Sequence, residues 1–377
     1  MVSGGGTGGH IYPAVAVAKE MLAMIPSATV LYVGTEHGME KALSQREGLR
    51  FAPVRSSGVM GKSLKVAAKG LFQASVGVKD AVSILREFQP DVVLGTGGYA
   101  SGPVVMASWL LRVPRAIQEQ NAIPGKTNLA LSRLVHKVFC AFEYSGQFFP
   151  NRAKIMVTGN PVRESLLVPT REQGKSHFGV PLGDRVILVL GGSRGARTLV
   201  ETGMRAASMA GRGVSIILAT GAEYYSKVVQ EIGAPCDSGI EGSRPGNIII
   251  RPYIHEMALA YAAADVVVAR AGGMTLSEIT ALGKPSVIIP SPNVANNHQE
   301  HNARALEEVG AAVVVRESPN TPEEATRAAL RVMSDESKRR SMSEAALRLG
   351  KPTATRDICR ELVALARQGT SLGGRVR

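Results

Sequence analysis

Gly4-Gly5-Gly6-Thr7-Gly8-Gly9-His10 and Gly191-Gly192-Ser193-Arg194-Gly195 are the stretches that decide how this 377-residue chain folds. Each follows a short apolar, β-type run and precedes a segment with helical periodicity. A strand, a glycine turn and a helix start together form a corner suited to phosphate. Glycine lets the backbone come close, and the helix end presents N–H groups. One such unit opens each half of the chain. This predicts two nucleotide-type domains facing each other, with a diphosphate-bearing ligand in the cleft between them.

The rest of the pattern agrees. Thr29–Val33, Asp91–Leu94 and Arg115–Ile117 are strand-like in the first half. Val186–Leu190, Val214–Ala219, Asn247–Ile250, Asp265–Val268 and Ser286–Ile289 are strand-like in the second. Continuous apolar runs predict strands covered on both faces, hence parallel sheets. Helical periodicity fills the gaps, as in Ala14–Met24 and His298–Val309. The alternation predicts an α/β chain of two Rossmann-like, doubly wound domains. Their expected extents are 1–162 and 163–350, with a final helix (351–377) returning to the first. A later glycine turn recurs in each half, at Gly95-Thr96-Gly97-Gly98-Tyr99 and Ala271-Gly272-Gly273-Met274-Thr275. Only Met1-Val2-Ser3 precedes the first glycine, so the expectation is that residues are missing upstream of a full opening strand.

Composition narrows the class. A 45% hydrophobic and 20% charged chain of this length is a globular protein with large cores. Cys140, Cys236 and Cys359 are odd in number and far apart, which predicts neither disulfides nor a metal site and suits a reducing cytoplasm. No secretory leader is legible, and no apolar run approaches the roughly 20 residues of a spanning helix. The net charge of +13 is uneven. Residues 41–86 hold nine basic side chains against Glu47 and Asp80. Leu64, Val66, Leu71, Phe72, Val76, Val82 and Phe88 are interleaved with them. Such a segment is either an ordinary buried helix with a solvated basic face or a surface for anionic lipid. No recognised motif supports nucleic acid.

Several motifs carry chemistry. His10 would stand at a helix N-terminus facing whatever the loop cradles, as a base or a hydrogen-bond donor. A dinucleotide site wants an acid after the second strand, and Glu36 sits late for it. Gly191-x-Ser193-x-Gly195 has the form of a hydrolase elbow, but nothing local supports Asp265 and His298 as its partners. Ser193 reads better as a phosphate ligand. Glu278, near the start of the helix after Gly273, could accept hydrogen bonds from a ribose. Asn296-Asn297-His298-Gln299-Glu300-His301-Asn302 suits sugar hydroxyls, and its histidines lack the companions a metal needs. Gln118-Glu119-Gln120-Asn121 follows a strand, and Arg163 would point a cation into the cleft.

Taken in order, residues 5–10, 97–103, 119–121, 159–163, 191–196 and the 270–302 block closely resemble the MurG family, the N-acetylglucosaminyltransferases of peptidoglycan synthesis. The resemblance runs from the first glycines to at least residue 310, nearly the whole chain. The family has a full strand before those glycines. The resemblance implies a GT-B fold and metal-independent, inverting transfer of GlcNAc from UDP-GlcNAc to the C4 hydroxyl of the undecaprenyl-linked muramoyl-pentapeptide (lipid I), giving lipid II. No cofactor is implied. Carried over by position, Ser193 and Arg163 hold the donor diphosphate. Ile254 contacts uracil, Gly273, Met274 and Thr275 line the nucleotide, and Glu278 binds ribose. Gln299, Asn121 and Thr7-Gly8-Gly9 meet the sugar. Gly97, Gly98, Tyr99 and Ser101 take the acceptor diphosphate. His10 and Glu119 are the two candidates for the base. A lipid-linked acceptor turns the reading of residues 61–88 toward docking on the anionic cytoplasmic face of the inner membrane, with Trp109-Leu110-Leu111 as a neighbour. The rival readings are a nucleotide-sugar sensor, an NAD-dependent dehydrogenase and a GT-B enzyme with another acceptor.

Overall fold

The computed structural model describes residues 1–56, 64–192, 195–231 and 247–372, with the side chains of 64–74 and 370–372 left aside. Ser193, Arg194, Lys62 and Cys236 therefore lie outside the described residues. The chain forms two compact units, Met1–Val162 with Lys351–Arg377, and Arg163–Gly350.

Unit one is built on β1 (Val2–Ser3), β2 (Leu31–Gly34), β3 (Arg50–Pro53), β4 (Val93–Gly95), β5 (Arg115–Glu119), β6 (Lys137–Cys140) and β7 (Ile155–Val157). Their order across the sheet is β3-β2-β1-β4-β5-β6-β7, and every pairing is parallel. Unit two uses β8 (Arg185–Leu190), β9 (Val214–Ala219), β10 (Ile248–Arg251), β11 (Val266–Ala269), β12 (Ser286–Ile288) and β13 (Ala312–Val314). Their order is β10-β9-β8-β11-β12-β13, again all parallel. The buried middles of β8 and β9, from Val186 to Val189 and from Ser215 to Ala219, meet apolar side chains on both faces. This is why their sequence is continuously apolar rather than alternating.

In both sheets the strand order reverses beside the unit's first strand, between β1 and β4 and between β8 and β11. Loops leaving the carboxyl ends of two such neighbours diverge to opposite faces and open a crevice. All four glycine turns stand at these two switch points. The sequence reading missed β3, β6, β7 and β13. They are only three or four residues long, too short for an apolar run to stand out.

The last helix, Ala354–Leu372, belongs to unit one. It buries Ile358, Cys359, Leu362 and Leu365 with Ile11, Val15 and Ala18 of the helix Gly8–Met24. Each such aliphatic side chain contributes about 1.5–3 kcal/mol. Polar ties fix its register: Thr355 Oγ1 donates to the Val162 carbonyl at 2.7 Å, and Arg356 meets Glu20 at 3.1 Å.

The switch point of unit one is tight. Gly97 and Gly98 have φ of +99° and +76°, and a Cβ on Gly98 would run into the backbone of Gly5. Gly98→Ala should therefore destabilise unit one by about 2 kcal/mol or more, combining left-handed strain with overlap. Thermal unfolding followed by circular dichroism measures this, and an unchanged midpoint would contradict the contact.

Candidate functional site

The corner of unit one is assembled from backbone. Gly5 N–H donates to the Gly97 carbonyl at 3.2 Å, tying the loop after β1 to the loop after β4. Thr96, wholly buried, adds a second tie, with Oγ1 donating to the His10 carbonyl at 2.6 Å. The helix Gly8–Met24 then begins after Thr7, whose extended backbone carries no side-chain cap on the helix. The helix Gly98–Leu110 begins after Gly97 in the same uncapped way. Pro103 within it cannot bond the carbonyl four residues earlier. Ser56 Oγ takes that acceptor, donating to the Tyr99 carbonyl at 2.7 Å.

His10 sits in the first turn, half-buried. Its Nδ1 lies 3.1 Å from the Gly5 carbonyl. A carbonyl only accepts, so Nδ1 carries the proton of this bond, and in the neutral form of the ring the lone pair lies on Nε2. That edge of the ring faces the loop at Gly97, since a Cβ on Gly97 would stand 3.2 Å from Nε2. The loop's own N–H groups are partly committed. Gly5 N–H goes to Gly97, and Gly6 N–H donates to Glu40 Oε1 at 2.8 Å. Glu40 is wholly buried, in space that Gly5, Gly34 and Gly38 leave by lacking side chains. Sequence reasoning missed it. Its only trace is an acid following Gly38 at the start of a helix.

Glu119, the second candidate base, is tied into the loop after β5. It is buried, and its carboxylate accepts from Asn121 N–H at 3.0 Å, Gly125 N–H at 3.1 Å and Asn128 Nδ2 at 2.8 Å. It organises the loop after β5. Around it Gln118 donates to Asn160 at 2.7 Å, Asn160 to the Gln120 carbonyl at 3.1 Å, and Gln120 to the Thr96 carbonyl at 2.7 Å. This buried amide network locks the loop after β5 to the switch point. The amide NH2 groups are paired, although Gln120 Oε1 and Asn128 Oδ1 have no hydrogen-bond partner among the described residues, and such buried links rigidify a site. Ser101 is also interior: it is wholly buried, and its Oγ donates to the Gly98 carbonyl at 3.2 Å. Ser101 therefore belongs to the interior of the helix turn, whereas Gly98 and Tyr99 keep some exposure.

In unit two the helices Arg197–Met209 and Gly273–Ala281 start from the loops after β8 and β11. Neither has a side-chain cap or an acid in its first turn. Helix Arg171–His177, away from the switch point, has a full capping box, and Glu336–Leu349 has an aspartate cap. Uncapped N–H groups at the switch point suit an anion. Gly273, Met274 and Thr275 form the first turn of one of these helices. Asn302, buried, braces this loop by donating to the Ala271 carbonyl at 3.0 Å. Ile254 is buried in the loop after β10. Gln299 Oε1 accepts from Ser291 N–H at 2.8 Å, which fixes the turn.

Glu278 points back toward Tyr261, whose buried hydroxyl donates to Oε2 at 2.9 Å. Burial raises the Glu278 carboxyl above its ordinary 4.5, opposed by the Arg163 cation and by the Tyr261 hydrogen bond. Burial and the neighbouring Glu278 charge push the Tyr261 phenol well up. Arg163, Tyr261 and Glu278 therefore form one electrostatic group. The sequence pointed to Arg163 and Glu278 but not to Tyr261, which reads there as a core aromatic. Among the described residues no group of three or more His, Cys, Asp or Glu stands where it could hold a metal ion.

Comparison with known proteins gives a consistent set. The glycosyltransferase family 28 N-terminal domain matches residues 1–140, and the C-terminal domain of the same family matches residues 186–358. A protein of Thermoanaerobacter sp. (strain X514) is 45% identical over 323 residues, 86% of this chain and 87% of its own. Its name is UDP-N-acetylglucosamine--N-acetylmuramyl-(pentapeptide) pyrophosphoryl-undecaprenol N-acetylglucosamine transferase. A protein of the same name from Symbiobacterium thermophilum is 40% identical over 369 residues, covering 98% of this chain and 96% of its own. The crystal structure of MurG from Acinetobacter baumannii has a TM-score of 0.72 at 28% identity, covering 97% of this chain and 98% of that one.

The signs at Glu278 give a direct test. Arg163→Met removes a lowering influence and should move the carboxyl further above 4.5. Tyr261→Phe should act in the same direction. Carboxyl 13C shifts recorded between about pH 4 and 8 read both, and a downward move in either variant would refute the assignment.

Proposed function

The chain belongs to glycosyltransferase family 28, and from that premise we propose that it transfers GlcNAc from UDP-GlcNAc to the MurNAc-pentapeptide pyrophosphoryl-undecaprenol of peptidoglycan synthesis. The carrying observation is its similarity, along most of its length, to relatives of that one named activity. The uncapped helix ends and glycine turns at the switch point of each sheet are the physical counterpart.

The finer reading concerns residues. Unit two takes the donor, with Glu278 accepting from the ribose hydroxyls, the Ile254 backbone meeting uracil, and Gly273, Met274 and Thr275 lining the nucleotide. Arg163 and Ser193 attend the diphosphate. Gln299, Asn121 and Thr7-Gly8-Gly9 attend the sugar. In unit one Gly97, Gly98 and Tyr99 take the acceptor diphosphate. The C4 hydroxyl attacks the anomeric carbon, the bond to the UDP oxygen breaks with inversion, and UDP leaves with the electron pair. Helix N-termini and a cation stabilise the charge that grows on the leaving phosphate.

The attacking hydroxyl must lose a proton, and His10 is the better base. Its Nδ1–H is committed to Gly5, which puts the acceptor lone pair on the Nε2 edge facing the acceptor turn. Glu119 spends its carboxylate on the loop after β5.

The acceptor's lipid tail requires a membrane. Among the described residues no helix is long and apolar enough to cross one. We place the protein peripherally on the anionic cytoplasmic face. The helix Leu64–Phe88 and its basic side chains supply the charge, and the exposed Met106, Trp109 and Leu110 of the adjacent helix supply apolar contact.

Labelled GlcNAc transfer from UDP-GlcNAc to a lipid I analogue, with EDTA present, tests the activity. Product is expected, and donor binding without product would point to another acceptor or a sensor. His10→Ala should lower turnover at least about 100-fold with little change in donor binding. Near-normal turnover would remove His10 from the role. Charge reversal at Lys62, Lys65 and Lys69 should weaken binding to anionic vesicles without loss of fold, and unchanged binding would overturn the docking surface.

A further inference from the structure

Glu40 and His10 are joined through one peptide unit. The Gly5–Gly6 peptide donates its N–H to Glu40 Oε1 at 2.8 Å, and its carbonyl accepts from His10 Nδ1–H at 3.1 Å. The order is carboxylate, peptide, imidazole. We propose that Glu40 is a positioning residue for the transfer reaction, acting on His10 through the Gly5–Gly6 peptide as the remote acid of a relayed acid–imidazole pair. This rests on the reading of His10 as the base.

Three observations carry the inference. The first is the shared peptide. A carboxylate at the N–H polarises the amide and puts more negative charge on its carbonyl oxygen, and hydrogen bonds in such a chain strengthen one another. That oxygen then holds Nδ1–H more firmly and stabilises the imidazolium formed when Nε2 takes the hydroxyl proton. The second is the built space. Gly5, Gly34 and Gly38 would each collide with Glu40 if they carried a Cβ, so the fold reserves room for this side chain. The third is what a structural role leaves unexplained. Glu40 is wholly buried, yet Oε2 has no hydrogen-bond partner among the described residues. An acid that only filled space would do better as an apolar side chain.

Glu40 takes no proton in this scheme. The proton passes from the acceptor hydroxyl to Nε2, and the Glu40 side chain holds the ring's orientation through the peptide. Other titratable groups surround the unit. Tyr32 stands behind it, its hydroxyl donating to the Gly4 carbonyl at 2.7 Å, and its phenol is pushed up by burial and by Glu40. Tyr99 lies against Gly6 and Tyr12 against Gly8. Glu119 reaches the corner through Asn128, whose Nδ2 also lies beside Gly97.

The test uses the full chain with Glu40→Gln, His10→Ala and the double variant, scored for turnover, for KM toward UDP-GlcNAc and for the titration of 15N-labelled His10. Glu40→Gln keeps an acceptor for Gly6 but removes the charge. It should lower turnover about 10- to 100-fold, the range for outer hydrogen-bond partners of a working imidazole. KM should hold, and the His10 pKa should drop by roughly half a unit. In the His10→Ala background the same change should cost less than about twofold. Glu40→Asp keeps the charge but falls short of Gly6, and it should reproduce the loss if the Gln variant does not fold. An equal loss with and without His10, or an unmoved His10 titration, would make Glu40 merely structural and overturn the proposal. Near-normal turnover of His10→Ala would instead sink the base assignment, and the titration would still report whether Glu40 acts on the ring.

Discussion

The contact between Gly5 and Gly97–Gly98 is the constraint on which unit one depends. Two loops leaving neighbouring parallel strands meet there backbone to backbone, with Gly5 N–H on the Gly97 carbonyl and no room for a Cβ on Gly98. The geometry needs left-handed backbone at Gly97 and Gly98, which glycine adopts without strain. From this point the helix carrying His10 takes its direction, the ring edge is set over Gly97, and Thr96 gains its reach to the His10 carbonyl.

The units solve a similar problem with different partners. Both leave their switch-point helices without a side-chain cap, and in unit two caps stand on Arg171–His177 and Glu336–Leu349 instead. Each also sets a carboxylate in poorly solvated surroundings near the glycine turns, Glu40 in one and Glu278 in the other. The surroundings differ. Glu278 has a cation and a phenol close by, whereas Glu40 has a peptide N–H and, further back, the Tyr32 ring.

The amide network of Gln118, Gln120, Asn128 and Asn160 explains how a loop-built site keeps its shape. These side chains are buried, and their NH2 groups donate to backbone carbonyls or to one another. Each broken link would strand a buried polar group, at a cost of about 1–3 kcal/mol. The loop after β5 is therefore fixed by the same strands that fix the glycine turns, and Glu119 is part of that scaffold.

The sequence alone determined the two-sheet architecture, the parallel strands and the four glycine turns. Buried strands write themselves as apolar runs, and left-handed or crowded backbone writes itself as glycine. It also marked His10, Arg163 and Glu278, because polar residues next to such turns have few other reasons to be there. The short strands β3, β6, β7 and β13 were not legible, since three or four residues carry too little pattern. Nor were the roles of Glu40, Tyr261, Glu119 and Ser101. A carboxylate reads alike in sequence whether it lies open or buried, and only its neighbours decide. Those neighbours are distant along the chain, 34 residues for Glu40 and Gly6 and 17 for Tyr261 and Glu278. Only the tertiary structure brought them together, because the crossover order of the strands, rather than local propensity, sets which loops meet.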